Sequence, residues 1–160
     1  MTDTRRRMLN PLLMRGYFLV KLPLALMAGL RLRALDGERC VVTVPYGWRT
    51  TNPFRSTYFA ALAMAAELST GALAMAAAEA SPQRVALLIV GLTAGFEKKA
   101  AGLTTFTCAD GRKISAAVER ALATGEPVTV EAQTTGTLPD GTVAARFTFT
   151  WSFKRRAVRA

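Results

Sequence analysis

The run from Tyr58 to Ala78, YFAALAMAAELSTGALAMAAA, contains one charged side chain, Glu67. As a helix it has no polar face, and a helix that is apolar all round must be buried all round. A fold that accepts it needs a surface able to wrap a cylinder. The many alanines suit that role, because small side chains let neighbouring backbones approach. The run is also long enough to span a bilayer. Alanine is only weakly hydrophobic, however, and Glu67 falls near the middle, so a soluble core helix is the reading adopted. Glu67 then stands out. A carboxylate amid Ala, Leu and Met must reach water, find partners or titrate upward. A carboxylate tuned in this way can serve as a general base or nucleophile. The alternative is a helix with Glu67 at its solvent edge.

The flanks supply the wrapping surface. ERCVVTVPY, from Glu38 to Tyr46, alternates as a strand with Cys40, Val42 and Val44 on one side. The long helix follows the loop 47–53. Asn52 before Pro53 fits an N-cap followed by a helix-starting proline, with Ser56 or Thr57 as later caps. Ser81-Pro82 stops the helix near Glu79. Val85 to Gly91, Thr93 to Lys99 and Leu103 to Cys108 read as strand segments, and Lys113 to Thr124 as a second helix ended by Gly125. Val128 to Gln133 and Val143 to Phe153 close the pattern, joined by a turn at Pro139-Asp140-Gly141. In the last strand Phe147, Phe149, Trp151 and Phe153 alternate with Arg146, Thr148, Thr150 and Ser152. Strands without regular βαβ alternation favour an antiparallel sheet and an α+β fold.

Ahead of this domain, residues 1–8 read as disordered. Residues 9–32 read as a helical arm, kinked at Pro23. The segment from Leu9 to Leu30 is apolar but carries Arg15 and Lys21, which argues against a membrane span. A basic amphipathic element lying on the protein or on a membrane surface fits better. The domain division expected is 1–35 for the arm and 36–156 for the sheet-and-helix domain.

The chain has no histidine, which excludes Ser-His-Asp and Cys-His nucleophile systems and every His-ligated metal site. Cys40 and Cys108 read as free buried thiols of a reducing, cytoplasmic compartment. The net charge of +10 attracts polyanions such as nucleic acid, anionic lipid or a phosphate-rich cofactor. No helix-turn-helix, zinc or aromatic-basic motif for base recognition is present, so sequence-specific nucleic-acid binding is not expected.

The stretch Asn52 to Glu67, NPFRSTYFAALAMAAE, resembles the segment that opens the central helix of hot-dog-fold acyl-CoA thioesterases, nearest to the phenylacetate-pathway type. In that pattern an Asn is followed by Gly, by a His-Gly-Gly triplet and by an acid on the helix. Here the Asn is Asn52 and the acid is Glu67. The Gly position falls on Arg55, and the triplet falls on Tyr58, Phe59 and Ala60. The asparagine and the acid are kept while the glycines and the histidine are not.

The resemblance implies a sheet wrapped around the long helix and a thioester carbonyl held at that helix's N-terminus. A backbone N–H at or near Phe59 or Ala60 would stabilise the oxyanion. Glu67 would attack the carbonyl or activate a water. Tyr58 and Glu67 lie nine residues apart, about 13 Å along a helix. The donor and the acid must therefore come from different subunits, as in the family's two-fold dimers or dimers of dimers. Ser69 and Thr70 can orient Glu67 or the water, or can back-bond to the preceding turn. Tyr58 and Phe59 crowd the approach that glycine would leave open, or line an acyl pocket. Tyr58 can supply a hydroxyl in place of imidazole, or close the core at the helix start. Arg55 can meet a coenzyme phosphate or stay solvated. Lys98, Lys99, Arg112 and Lys113 are candidates for binding coenzyme A, which enters as part of the substrate; no permanently bound cofactor is implied.

Three functions follow: an acyl-CoA hydrolase, a non-catalytic acyl or lipid binder on the same fold, and a protein that uses its charge on nucleic acid or a membrane surface.

Overall fold

The computed structural model describes residues 3–156. The arm comprises three short helices, α1 (Asp3–Leu9), α2 (Pro11–Lys21) and α3 (Pro23–Ala28). Asp3–Leu9 is thus helical where disorder was expected, and residues 1 and 2 lie outside the described residues. Asn10 caps α2, its Oδ1 accepting from the amides of Leu12 and Leu13 at 3.0 and 3.3 Å, with Pro11 at the first helical position. Leu22 ends α2 and Pro23 opens α3, which is the expected break. The sheet begins earlier than the sequence suggested. Arg31–Leu35, assigned to the arm, forms strand β1.

Six strands form one antiparallel sheet in the order β1-β2-β4-β5-β6-β3. They are β1, β2 (Cys40–Val44), β3 (Val85–Phe96), β4 (Thr104–Cys108), β5 (Val128–Thr137) and β6 (Val143–Arg155). The long helix α4 (Phe59–Glu79) packs against β1 to β6, and α5 (Gly111–Thr124) packs on α4, β5 and β6. Of the described helices, α4 alone is long and apolar enough to cross a membrane, but most of it is buried within the protein. The two apolar segments around Gly91 form the single strand β3, interrupted by a bulge between Ile89 and Gly91. β3 ends at Phe96, so Glu97 to Lys99 belong to the following loop.

The packing is complementary. α4 contributes mostly small buried residues, including Ala61, Ala65, Ala66, Ala72 and Ala76. The sheet contributes large ones. Phe147, Phe149, Trp151 and Phe153 all turn inward from β6, as their alternation predicted, and join Phe106 of β4. Burying each such ring stabilises the fold by roughly 1.5–3 kcal/mol. Gly136 of β5 is required here, since a Cβ at that position would lie 2.6 Å from Cζ of Phe106. Cys40 and Cys108 face each other across β2 and β4, both free and buried. Burial pushes the Cys108 thiol up to about 11 and lifts Cys40 further above the ordinary thiol range, so both stay protonated.

Candidate active site

The approach to α4 is built by residues 50–58. Asn52 does not cap the helix, which begins at Phe59 with Tyr58 as its N-cap residue. Asn52 instead ties the loop onto itself. Its Oδ1 accepts from the amides of Phe54 and Ser56 at 3.0 and 3.2 Å, and its own amide donates to the Ser56 carbonyl at 2.9 Å. This tight loop forces Arg55 to φ +57, and Arg55 is the sole non-glycine with positive φ among the described residues. Arg55 thus holds a conformation that glycine adopts most easily. Thr57 then anchors the helix start. Its amide and its hydroxyl both donate to the Ala100 carbonyl at 2.8 Å. The Tyr58 amide donates to Thr50 O at 2.6 Å.

The next two amides are different. Among the described residues, the N–H groups of Phe59 and Ala60 donate no hydrogen bond, and no side chain caps the helix. Two donors and the positive end of a 21-residue helix therefore stand open. Phe59 opens onto a cleft of about 400 Å³, lined also by Asn52, Ser56, Leu62, Phe96 and Lys98. That volume lies within the range of small-molecule sites. Tyr58 stacks edge-on to Phe59, which meets Phe96 at 6.1 Å; Phe96 in turn meets the core ring of Phe147 at 5.7 Å. The cleft thus has an aromatic wall fixed to the core and a basic rim. Lys98 and Lys99 both line it, with Lys99 Nζ donating to the Phe54 carbonyl at 3.2 Å. Glu97, the acid of that rim, is paired with Arg146.

Arg112 is not part of this rim. It pairs with Glu38 beside the β1–β2 turn. Lys113, its neighbour on α5, lines a separate cleft with Arg120 and Glu131. Ala100 lies before β4 and Arg112 lies after it, so the strand's length separates Arg112 from the cleft. Thr70 also stands apart from the site. It is fully buried, and its hydroxyl donates to the Glu67 main-chain carbonyl at 3.0 Å and accepts from Trp151 Nε1 at 3.1 Å. Ser69 likewise donates to the Ala66 carbonyl at 2.7 Å and pairs with Thr134 at 2.8 Å. Both hydroxyls back-bond to the preceding turn and bind α4 to the sheet. Thr70 holds the turn that carries Glu67 without touching its carboxylate.

Glu67 lies on a side of α4 that the sheet leaves uncovered, near the half-buried Met64 and Leu68. The residue is exposed in the single chain, yet partial burial among apolar neighbours strips away enough hydration to raise its pKa above the ordinary 4.5. Among the described residues no donor or cation pairs with the carboxylate. Phe59 and Glu67 lie about 12 Å apart along the helix, so one small group cannot touch both within a chain. Sequence reasoning missed Phe96 and Thr57 as parts of the cleft. Phe96 follows a run of strand residues, and its meeting with Phe59 depends on how β3 leaves the sheet.

The fold recurs in solved structures. A Pseudomonas aeruginosa protein of unknown function, described as a probable thioesterase, is 20% identical; the match covers 94% of this chain and 99% of that one, with a TM-score of 0.78. A Chlorobaculum tepidum protein of unknown function is 13% identical over 92% of this chain and 98% of its own, with a TM-score of 0.75. A Haemophilus influenzae thioesterase is 12% identical over 86% of both chains, with a TM-score of 0.63. At these identities the likeness establishes the architecture, an α+β hot-dog fold with the sheet wrapped around α4. No curated protein matches the sequence. Residues 12–153 match the family described as Domain of unknown function (DUF4442), and the chain belongs to that family.

Proposed function

We propose that this protein is a homodimeric hydrolase of acyl thioesters such as acyl-CoA, with Glu67 as its catalytic carboxylate. The observation that carries the reading is the pairing of two unused amides at the start of α4 with an unpartnered, partly dehydrated carboxylate on the same helix. The two are too far apart to serve one carbonyl within a chain, so the reading requires a second copy. β3 supports that requirement. It is a 12-residue edge strand that pairs only with β6, and it exposes Leu88, Val90 and Leu92. Such an edge is a template for further pairing. Antiparallel pairing of β3 with its two-fold mate sets the α4 helices antiparallel. One chain's Glu67 can then face the open helix start of its partner.

In this scheme the thioester oxygen accepts from the amides of Phe59 and Ala60 as negative charge develops on it. Glu67 of the other chain attacks the carbonyl carbon or takes a proton from the water that does. The C–S bond then breaks and the thiolate leaves, taking the proton that Glu67 received from water or one from solvent. On the direct route, water opens the acyl–glutamate anhydride and frees the carboxylic acid. Phe59 and Phe96 contact the acyl chain, and Lys98 with Lys99 attracts the anionic coenzyme; Arg55, at the loop tip, can meet a phosphate.

Thiol release from an acyl-CoA panel, measured on the wild type and Glu67→Ala, tests the reading. The expected result is turnover by the wild type and a loss of about 10²–10⁴-fold in the variant, with acyl-CoA still bound. Equal turnover by the two proteins would remove Glu67 from the mechanism. A non-catalytic acyl binder is favoured by one observation, the Phe59 ring in the cleft, where the acyl-CoA thioesterase pattern that the sequence resembles has a glycine. Binding without turnover in the wild type would select that reading.

A further inference from the structure

We propose that the N-terminal arm docks the protein on an anionic lipid bilayer. α2 is apolar on both sides. Met14 and Phe18 are buried against the protein, whereas Leu12, Leu19 and Val20 face outward, with Leu12 80% exposed. α3 repeats the pattern, burying Ala25 and Ala28 and exposing Leu24 and Met27. Trp48, 87% exposed, lies beside the end of α3, where it lines a small cleft with Ala28 and Arg49. An outward face of aliphatic side chains calls for a cover. Nothing in the described chain provides one.

Charge identifies the cover. Residues 4–35 include Arg5, Arg6, Arg7, Arg15, Lys21, Arg31 and Arg33 and no acidic residue. A second copy on this face would bring two such cationic sets together, which opposes self-association. An anionic bilayer meets both demands, accepting aliphatic side chains below its headgroups and cations among them. A tryptophan beside the aliphatic face suits the headgroup boundary. The arm contacts β1, and β1 is the edge of the sheet opposite β3. Docking is therefore compatible with pairing through β3 and does not depend on the proposed hydrolase activity.

The test is flotation of the full-length protein with phosphatidylcholine vesicles, with and without phosphatidylglycerol, at low and high salt. Fluorescence follows Trp48, because Trp151 is already buried. The protein is expected to float with anionic vesicles at low salt, with a blue shift that Trp48→Phe removes. Leu12→Ser/Leu19→Ser is expected to weaken binding at least roughly tenfold, since each leucine loses its apolar burial. Arg15→Glu/Lys21→Glu is expected to weaken it roughly tenfold or more. All these side chains are exposed, and an unchanged melting temperature verifies the fold. Absence from anionic vesicles would overturn the proposal, as would equal binding by the leucine variant, which indicates adsorption by charge alone. A higher oligomer abolished by the leucine variant would also overturn it, by showing that another copy covers the face.

Discussion

The two long helices solve the same packing problem to different degrees. α5 buries Gly111, Ile114, Ala117, Val118 and Ala121 along one stripe and turns Arg112, Lys113, Glu119 and Arg120 to solvent. Gly125 ends it in the left-handed conformation that its sequence predicts. One chain completes that helix. α4 buries ten residues, yet Met64 and Leu68 are only half-buried on its remaining side, with the exposed Glu67 beside them. One chain does not complete it. The difference separates a helix that supports the fold from a helix whose open side is available for function.

The sharpest test of this contrast exchanges a carboxylate on each helix for its amide. Glu67→Gln on α4 is expected to lower thioester hydrolysis by about 10²–10⁴-fold. Glu119→Gln on the solvent side of α5 is expected to leave the rate unchanged. Equal effects would mean that α4's open side has no special chemistry. The wild-type rate should also rise with pH through a midpoint above the ordinary glutamate value of 4.5, because the ionised form acts and partial dehydration raises its pKa.

A second pair of variants compares stability. Ile114 is fully buried on α5, and Ile114→Ala is expected to cost about 2–5 kcal/mol in urea unfolding. That loss should be the same at every protein concentration. Met64→Lys, on the open side of α4, should leave the folded chain intact and lower the melting temperature chiefly by removing its dependence on concentration. If Ile114→Ala is the concentration-dependent variant, the roles of the two helices are reversed.

The same contrast explains what the sequence revealed. Periodicity reports burial, so α5 and β6 were legible almost residue by residue. Phe147, Phe149, Trp151 and Phe153 are all buried, as their alternation required. The absence of periodicity in α4 was also legible, and it predicted the wrapped helix, although the burial on every side that it implied stops at Glu67, which is exposed. The start of α4 was not. Asn52-Pro53 has the chemistry of a helix cap, but the asparagine's oxygen bonds within its own loop and the helix waits until Phe59. β1 was hidden because RLRAL alternates charged and apolar residues over only five positions, next to an apolar arm. The cleft depends on distant partners, such as Phe59 with Phe96, that no local pattern encodes.

The approaches to the two helices offer a smaller test. α5 is preceded by Asp110, whose carboxylate accepts from the Gln133 amide at 2.7 Å and whose φ is −91. α4 is preceded by Arg55 at φ +57. A non-glycine residue in that region carries a penalty of roughly 1–2 kcal/mol, and a glycine gives back about 0.4–1 kcal/mol through the freedom of its unfolded chain. Arg55→Gly is therefore expected to stabilise the protein by up to about 1.6 kcal/mol in urea unfolding. A loss of stability would show that the arginine side chain holds the loop.

The smallest expected effect concerns the stability cost of Glu67 itself. Its folded-state pKa is raised by dehydration, so its contribution is fully favourable below the unfolded value and is lost as pH rises through the folded value. Above both, the ionised carboxylate opposes folding. Glu67→Gln should thus be slightly more stable than the wild type at neutral pH, and the difference should vanish as pH falls below 4.5. Solvent screens the exposed residue, so the gain is expected to stay well under about 1 kcal/mol. Thermal melts of both proteins across this pH range measure it. A variant that is inactive yet marginally more stable carries the mark of a group retained for chemistry. A variant less stable at neutral pH would show instead that the carboxylate holds α4 in place.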